Sequence, residues 1–247
     1  MMLQVIGTGS HGNCYRLTAG EDAILLDAGL PIKQIVRAAR GLKDIRACLI
    51  THEHGDHIKA ASDLALWGVD VYATPGTLDA AGMSRDAARI HPVELLKPFE
   101  ITGFTVLPFP TQHDAQQPCG YLIRSSETGE TLLYATDTYY LRNTYPNVNY
   151  WLIECNYCDD LLAEMLDGGE IDSTMRNRLL GSHMSLDRLK MTLQANDLTE
   201  TRKIVLCHLS DSRSDEHRMI REIEEMTSCE TLAAHDGDVI ELDIVPF

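Results

Sequence analysis

The sequence predicts an α/β fold, and three observations carry that expectation. Short apolar runs of strand length alternate with amphipathic, helix-compatible segments along the chain. No linker, low-complexity run or charge block interrupts it, so one domain over residues 1–247 is expected. A histidine-rich stretch, Thr51-His52-Glu53-His54-Gly55-Asp56-His57, sits between an apolar strand over 45–50 and a helix-compatible segment over 58–67. A strand-to-helix turn lets neighbouring side chains converge. Three imidazoles and the Asp56 carboxylate within 52–57 therefore predict a metal site. Neutral imidazole suits Zn²⁺ ahead of Mn²⁺ or Fe. The zincin pattern H-E-x-x-H is absent, because Asp56 stands four residues after His52.

Composition narrows the class. The 247 residues suffice for a large core, and 44% hydrophobic with 23% charged residues is ordinary for a globular protein. No run approaches the ~20 apolar residues of a membrane span, and the first nine residues lack a signal-peptide pattern. Seven cysteines without repeating spacing fit reduced thiols in a cytoplasmic protein. The lone Cys155-Asn156-Tyr157-Cys158 reads as packing ahead of a zinc knuckle or redox pair. The net charge of −16 argues against broad adhesion to a phosphate backbone. It does not exclude a nucleic-acid substrate, since bound cations supply positive charge locally.

Taken in order, residues 3–6 read as a strand ending in Gly7-Thr8-Gly9-Ser10-His11-Gly12-Asn13-Cys14, a loop that serves equally as an anion cradle or a plain turn. A hairpin follows over 15–17 and 23–26, ending at Asp27-Ala28-Gly29. Asp27, after four apolar residues, reads as a buried strut for the histidine loop and not as a ligand. Residues 32–40 are amphipathic, with Gly41 as C-cap. A strand over 69–73, a helix over 78–82 and a strand over 100–107 come next, with Pro108 and Pro110 as interruptions and His91 as a structural residue. His113, ahead of a strand over 120–124, is read as a ligand on the strength of His52 and His54. Asp137 follows a strand over 131–135, where a bridging carboxylate belongs. Glu154 follows a strand over 151–153, before a helix over 161–166. Ser185 is the expected N-cap of a helix over 186–194, which places His183 just ahead of a helix N-terminus. A strand over 204–207 leads to His208, Ser210 and Arg213, the last either a phosphate contact or a surface charge. A helix over 216–226 and two strands within 230–245, around a turn at 235–238, complete the chain, with His217 and His235 at the surface.

The pattern H-x-H-x-D-H resembles the signature of the metallo-β-lactamase superfamily. The resemblance extends over nearly the whole chain. Gly9 to Cys14, Asp27-Ala28-Gly29, His113-Asp114-Ala115, Ala135 to Thr138, Glu154-Cys155-Asn156, Gly181 to Ser185 and His208-Leu209-Ser210 look like its YycJ/WalJ-like branch. That branch is similar to the RNase Z and RNase J phosphodiesterases, and its members are described as metal-dependent exonucleases acting on DNA. The resemblance implies a four-layer αβ/βα sandwich of two mixed β-sheets. It also implies that His52, His54 and His113 hold one divalent ion, that Asp56, His57 and His208 hold a second, and that Asp137 bridges. Asp56 would also orient the nucleophile. Glu154 would hydrogen-bond His183, the histidine left over for leaving-group protonation. Ser10 and Asn13 of the glycine loop, with Ser182, Ser185, Ser210 and Arg213, are the expected substrate contacts. Three stretches depart from the branch: Tyr157-Cys158 stands for His-Asp, Ser182-His183-Met184-Ser185-Leu186 for His-Leu-Ser-Asn, and Asp211-Ser212-Arg213 for paired asparagines. The expected activity is phosphodiester hydrolysis of nuclease type on a nucleic acid or nucleotide. The alternatives are a small-molecule hydrolase, such as a cyclic-nucleotide phosphodiesterase or lactonase, and a non-catalytic metal-binding module.

Overall fold

The computed structural model describes residues 1–210 and 212–242. In chain order these form β1 (Met2–Gly7), β2 (Cys14–Ala19), β3 (Asp22–Leu26), α1 (Ile32–Ala38), β4 (Ile45–Leu49), α2 (Gly55–Ile58), α3 (Ala61–Leu66), β5 (Asp70–Ala73), α4 (Pro75–Ala80), β6 (Ile90–Pro92), β7 (Phe99–Ile101) and β8 (Phe104–Pro110). Then come β9 (Cys119–Ser125), β10 (Thr131–Ala135), β11 (Tyr150–Glu154), α5 (Asp159–Asp167), α6 (Ser173–Ser182), α7 (Leu186–Gln194), β12 (Lys203–Cys207), α8 (Glu216–Thr227), β13 (Glu230–Ala233) and β14 (Val239–Glu241). The strands make two seven-stranded sheets, each mixing parallel and antiparallel pairs. The expected α/β class with two mixed sheets is what folds. Among the described residues no helix is long and apolar enough to cross a membrane.

The chain divides into two compact units, one of Met1–Pro110, Ala115–Thr131 and the segment from Ala234 onward, the other of Thr111–Asp114 and Leu132–Ala233. In the first unit β14, β1, β2 and β3 pair antiparallel, and β3, β4, β5 and β6 continue in parallel. The parallel strands are joined by helical crossovers. Their apolar side chains, among them Leu25 and Val71, pack with Ile35 of α1, Leu64 of α3 and Leu78 of α4 in one buried cluster. Burying each such side chain contributes about 1.5–3 kcal/mol. Because β3 and β4 run the same way, their carboxyl ends lie side by side, and Asp27 and the histidine loop leave from that shared edge.

In the second unit β10, β11, β12 and β13 are all parallel. β11 is buried along its whole length, from Tyr150 to Glu154, as a central parallel strand must be. Asp137, Glu154 and His208 therefore issue from the carboxyl ends of three adjacent strands. That edge is where open parallel sheets bind ligands. Cys155 and Cys158 are buried and their thiols are pushed up by burial, which suits a packing role.

Several expectations are corrected. The helix expected over 58–67 is two short pieces, because the His57 carbonyl accepts from Ala28 N–H (2.7 Å) and Ala60 N–H donates to the Ala28 carbonyl (2.9 Å), so the helical ladder cannot pass through. The strand expected over 100–107 is two, β7 and β8, and β8 runs on through Pro108 and Pro110. The Pro108 carbonyl accepts from Leu96 N–H, so both prolines, two residues apart, turn their missing N–H away from β9. The helix expected over 78–82 begins earlier, at Pro75 behind the Thr74 cap. Helix α6 has no counterpart among the expected elements: its sequence has little amphipathic character, and only the Asp172 side chain, accepting from Met175 N–H (2.7 Å), announces it. The two C-terminal strands are not a pair. β13 extends the parallel sheet of the second unit, and β14 pairs with β1. Residues 243–245 of the expected tail lie outside the described residues.

Gly29 sits where three segments meet. A Cβ there would lie 1.7 Å from the Asp56 carbonyl oxygen and 2.8 Å from the Asn13 nitrogen. Gly29→Ala is expected to destabilise the protein by about 1–3 kcal/mol in urea unfolding, the cost of overpacking. Gly181→Ala, with open space around its Cβ on α6, is the control and should be neutral or slightly stabilising. Equal effects would overturn the steric explanation.

Candidate metal centre

In the first unit the arrangement starts at Asp27, fully buried with a left-handed φ of 58°. Its Oδ1 accepts from Thr51 N–H (2.8 Å), and its Oδ2 accepts from the Thr51 hydroxyl (2.9 Å) and from His57 Nδ1–H (2.8 Å). A buried carboxylate can only accept, so the His57 proton is on Nδ1 and the Nε2 lone pair points the other way. Asn13 Nδ2, 3.1 Å from that Nε2, is consistent with this tautomer. The Thr51 hydroxyl gives its proton to Asp27, so its oxygen accepts from His52 Nδ1–H at 3.0 Å and presents His52 in the same sense. The His52 ring lies 4.1 Å from His57 and 4.7 Å from His54, centroid to centroid. Asp56 Oδ2 is 3.8 Å from His57 Nε2, on the single turn of α2 that His54 precedes.

In the second unit Asp137, buried and with φ 48°, lies two residues beyond the end of β10. Its Oδ2 is 3.6 Å from His113 Nε2, and its Oδ1 is 3.6 Å from His208 Nε2. These separations are too long for hydrogen bonds. They are close to the roughly 3.4 Å between two donors held at ~2.1 Å by one tetrahedral ion. Each carboxylate oxygen thus faces a different imidazole. His113 Nδ1–H donates to the Ser182 carbonyl (2.9 Å), and His208 Nδ1 faces Glu154 Oε1 at 3.4 Å, so both rings turn Nε2 toward Asp137. Burial lowers the His113 pKa despite the pull of Asp137, which favours the neutral ring a ligand must be. For His208 burial again opposes the charge, but Asp137 and Glu154 outweigh it and its pKa is raised, so an ion there would have to displace its proton. Imidazoles that turn Nε2 toward a shared carboxylate are a donor set that fits divalent ions of the zinc type.

Glu154 is arranged differently. It is fully buried, Oε1 is 2.6 Å from His183 Nδ1, and Oε2 accepts from Thr138 N–H (3.0 Å) and Met184 N–H (3.2 Å). Burial alone would raise its pKa, but His183 outweighs that and the carboxyl is held below its usual range. Burial likewise opposes the charged form of His183, and the Glu154 carboxylate more than offsets it, so His183 is pushed up to about 9. The donor atoms of Asp137, Glu154, His183 and His208 lie within 4.8 Å of one another, and the His183 and His208 rings stack 5.3 Å apart. With its oxygens taken by His183 and two amides, Glu154 is a strut.

The expected substrate contacts fare unevenly. Ser10 is exposed on the glycine loop. Asn13 is buried and locks that loop, accepting from Gly9 N–H (3.0 Å) and donating to its carbonyl (3.2 Å). The amides of Gly12 and Asn13 are also used internally, so the loop is a built turn. The Ser182 hydroxyl donates to Arg178 O (2.7 Å), and Ser185 caps α7 by accepting from Arg188 N–H (3.3 Å). Ser210 donates its amide to Asn156 O (3.0 Å), and Arg213 is half-buried with its carbonyl accepting from Cys158 N–H (2.9 Å). Two residues with structural roles are missing from the sequence-derived set. Thr51 relays Asp27 to His52, and Asn156 Nδ2 donates to the His208 carbonyl (2.9 Å). Their signal is adjacency alone, Thr51 to the histidine stretch and Asn156 to Glu154.

Residues 22–209 match the family model described as a beta-lactamase superfamily domain. The chain is 30% identical to the exodeoxyribonuclease WalJ of Streptococcus pneumoniae serotype 2 (strain D39), covering 94% of this chain and 88% of that protein. It is 29% identical to the exodeoxyribonuclease YycJ of Bacillus anthracis, covering 83% and 81%. Among solved structures, the metallo-beta-lactamase fold protein YhfI from Bacillus subtilis matches with a TM-score of 0.75 at 17% identity, over 97% of this chain and 98% of that one. The fold expected from the sequence is the fold of that protein.

Asp27 gives one sharp expectation. Asp27→Asn keeps the volume but removes the charge that holds Thr51 and His57. It should weaken zinc affinity about 10–100-fold in chelator competition, as loss of a support behind a ligand does. Unchanged affinity would show that Asp27 does not support the ligands.

Proposed function

The chain belongs to the β-lactamase superfamily, and from that membership we propose that it is a metal-dependent phosphodiester hydrolase of the exodeoxyribonuclease type, working with two divalent ions. The observation that carries the proposal is Asp137, whose two oxygens face the Nε2 atoms of two different histidines. His52, His54 and His113 are assigned to one ion, Asp56, His57 and His208 to the other, and Asp137 to both. The assignment rests on the order of the motifs, and the geometry inside each unit supports that unit's share. Its corollary is that the two units are parts of one domain over 1–247. Zinc is the favoured ion for a set this rich in imidazole, with manganese and iron next. When bound, the ions supply Lewis acidity and lower the pKa of water at the site. Asp56 would hold an ion and orient the attacking water. The similarity to the two exodeoxyribonucleases supports a nucleic-acid substrate. The burial of all seven cysteines fits a cytoplasmic enzyme.

His183 is the proton donor to the leaving alkoxide. Glu154 holds its Nδ1, leaving Nε2 for the departing oxygen. The second reading, hydrolysis of a small diester, is favoured by the net charge of −16. The discriminating experiment loads the protein with zinc or manganese and compares single- and double-stranded DNA, RNA and bis-p-nitrophenyl phosphate. Two ions per chain by elemental analysis and DNA degradation abolished by chelator are expected. At most one ion after full reconstitution defeats the paired site, and turnover of the small diester alone selects the second reading.

His183→Ala should leave ion content intact and lower kcat on DNA by ~10²–10⁴-fold, with Glu154→Gln losing less. A p-nitrophenolate leaving group does not need the proton and should be affected far less. Equal losses on both substrates would end the proton-donor role.

A further inference from the structure

Arg188 lies in the first turn of α7, three residues after the Ser185 cap, and is half-buried. Its Nη1 donates to Leu180 O (2.6 Å) and to Tyr139 O (3.4 Å), and its guanidinium carbon sits 5.3 Å from the centroid of the Tyr139 ring. The side chain is thus fixed at one corner and against one flat face. Among the described residues no carboxylate pairs with it, and its Nε and Nη2 donate to none of them. The adjacent Asp187 lies 3.7 Å from Lys190 instead. In a chain with 37 acidic residues against 21 basic ones, a held guanidinium without a counter-charge is conspicuous. Its open Nε–Nη2 edge has the two-donor geometry that fits a phosphate.

Both anchors of Arg188 belong to segments that carry the proposed chemistry. Tyr139 is two residues beyond Asp137, and Thr138 between them donates its amide to Glu154. Leu180 is three residues before His183, at the end of α6. The same loop presents Tyr140, which is 46% exposed although Leu141 beside it is buried. The Thr138 hydroxyl holds the Tyr140 carbonyl at 2.9 Å, so the ring is carried outward on a pinned backbone. Tyr140 directly follows Tyr139, the residue whose ring and carbonyl hold Arg188, so one loop carries an exposed aromatic ring and anchors a guanidinium. Ring and cation together are what bind single-stranded nucleic acid, base on ring and phosphate on cation.

We infer that Arg188 and Tyr140 form a clamp for an unpaired nucleotide of the substrate strand, Arg188 taking a phosphate and Tyr140 stacking the base. The inference rests on the phosphodiesterase reading above and deepens it, because stacking requires a base free of its partner. The enzyme then prefers single-stranded or frayed ends to blunt duplex ends. Neither residue falls in a motif, and neither needs the overall acidity to be reversed, since the positive charge is placed only where one phosphate lies.

The test compares kcat/KM on a single-stranded oligodeoxynucleotide with kcat/KM on bis-p-nitrophenyl phosphate, in the metal-loaded protein. Tyr140→Ala and Arg188→Gln should each lower the ratio about 10-fold, the scale of one stacked base. Tyr140→Phe should restore it, because stacking uses the ring and not the hydroxyl. Arg188→Gln should also flatten the dependence of log Kd on log salt for the oligonucleotide by about 0.7, the loss of one phosphate contact to a single strand. A loss shared equally by both substrates, or no effect of Tyr140→Ala, overturns the clamp. If wild-type protein cleaves no nucleic acid, fluorescence anisotropy with the same oligonucleotide decides. Binding that weakens in both variants keeps the clamp while the nuclease reading falls, and absence of binding by the wild type overturns it.

Discussion

The arrangement in the first unit hangs on one buried carboxylate. Asp27 has no exposure to water, and an unpaired charge in that position would cost several kcal/mol. It is met by the Thr51 amide, the Thr51 hydroxyl and the His57 ring, three donors from the segment that follows the neighbouring parallel strand. Satisfying the charge and aiming the histidines are therefore the same act. Around it, Asn13 N–H to the Asp56 carbonyl, Ala28 N–H to the His57 carbonyl and Ala60 N–H to the Ala28 carbonyl close the loop with backbone bonds. These bonds are also what end α2 after one turn.

The second unit solves a related problem with two carboxylates in different roles. Asp137 stands beside imidazole Nε2 atoms at distances no hydrogen bond spans, whereas Glu154 is saturated by His183 and two amides. Both groups are buried and both stand at the carboxyl ends of parallel strands. Their roles separate according to which donors surround them. Burial works against the charge on Glu154 and on His183 alike, and each survives ionised because the other is there.

Much of this is legible in the sequence, for physical reasons that differ by element. The strands over 45–49 and 131–135 announce themselves because their last three residues, buried on both faces, are all apolar, and Asp27 as a strut follows from a carboxylate placed after such a run. The Ser185 cap is readable because its hydroxyl acts locally. What escapes depends on distant partners. Helix α6 is held by context more than by pattern, and the break between α2 and α3 is dictated by Ala28, some thirty residues earlier. Pro108 and Pro110 read as breakers until the edge they face is known. Arg188 and Tyr140 carry no signal at all, since neither exposure nor the absence of a counter-charge is written in a local pattern.

Asp27, Asp137 and His208 share one more property: each has a left-handed backbone, with φ of 58°, 48° and 55°. Asp27 and His208 sit immediately after a parallel strand and Asp137 one residue further on, where the chain must turn sharply to point a side chain across the sheet's edge. Such a conformation costs a residue with a Cβ on the order of 1–3 kcal/mol, and glycine is the residue that relieves it. Glycine at position 27 would relax the turn but would strand the Thr51 and His57 donors in the interior, a loss of the same size as the strain it removes. The awkward backbone and the side chain it carries therefore stand or fall together.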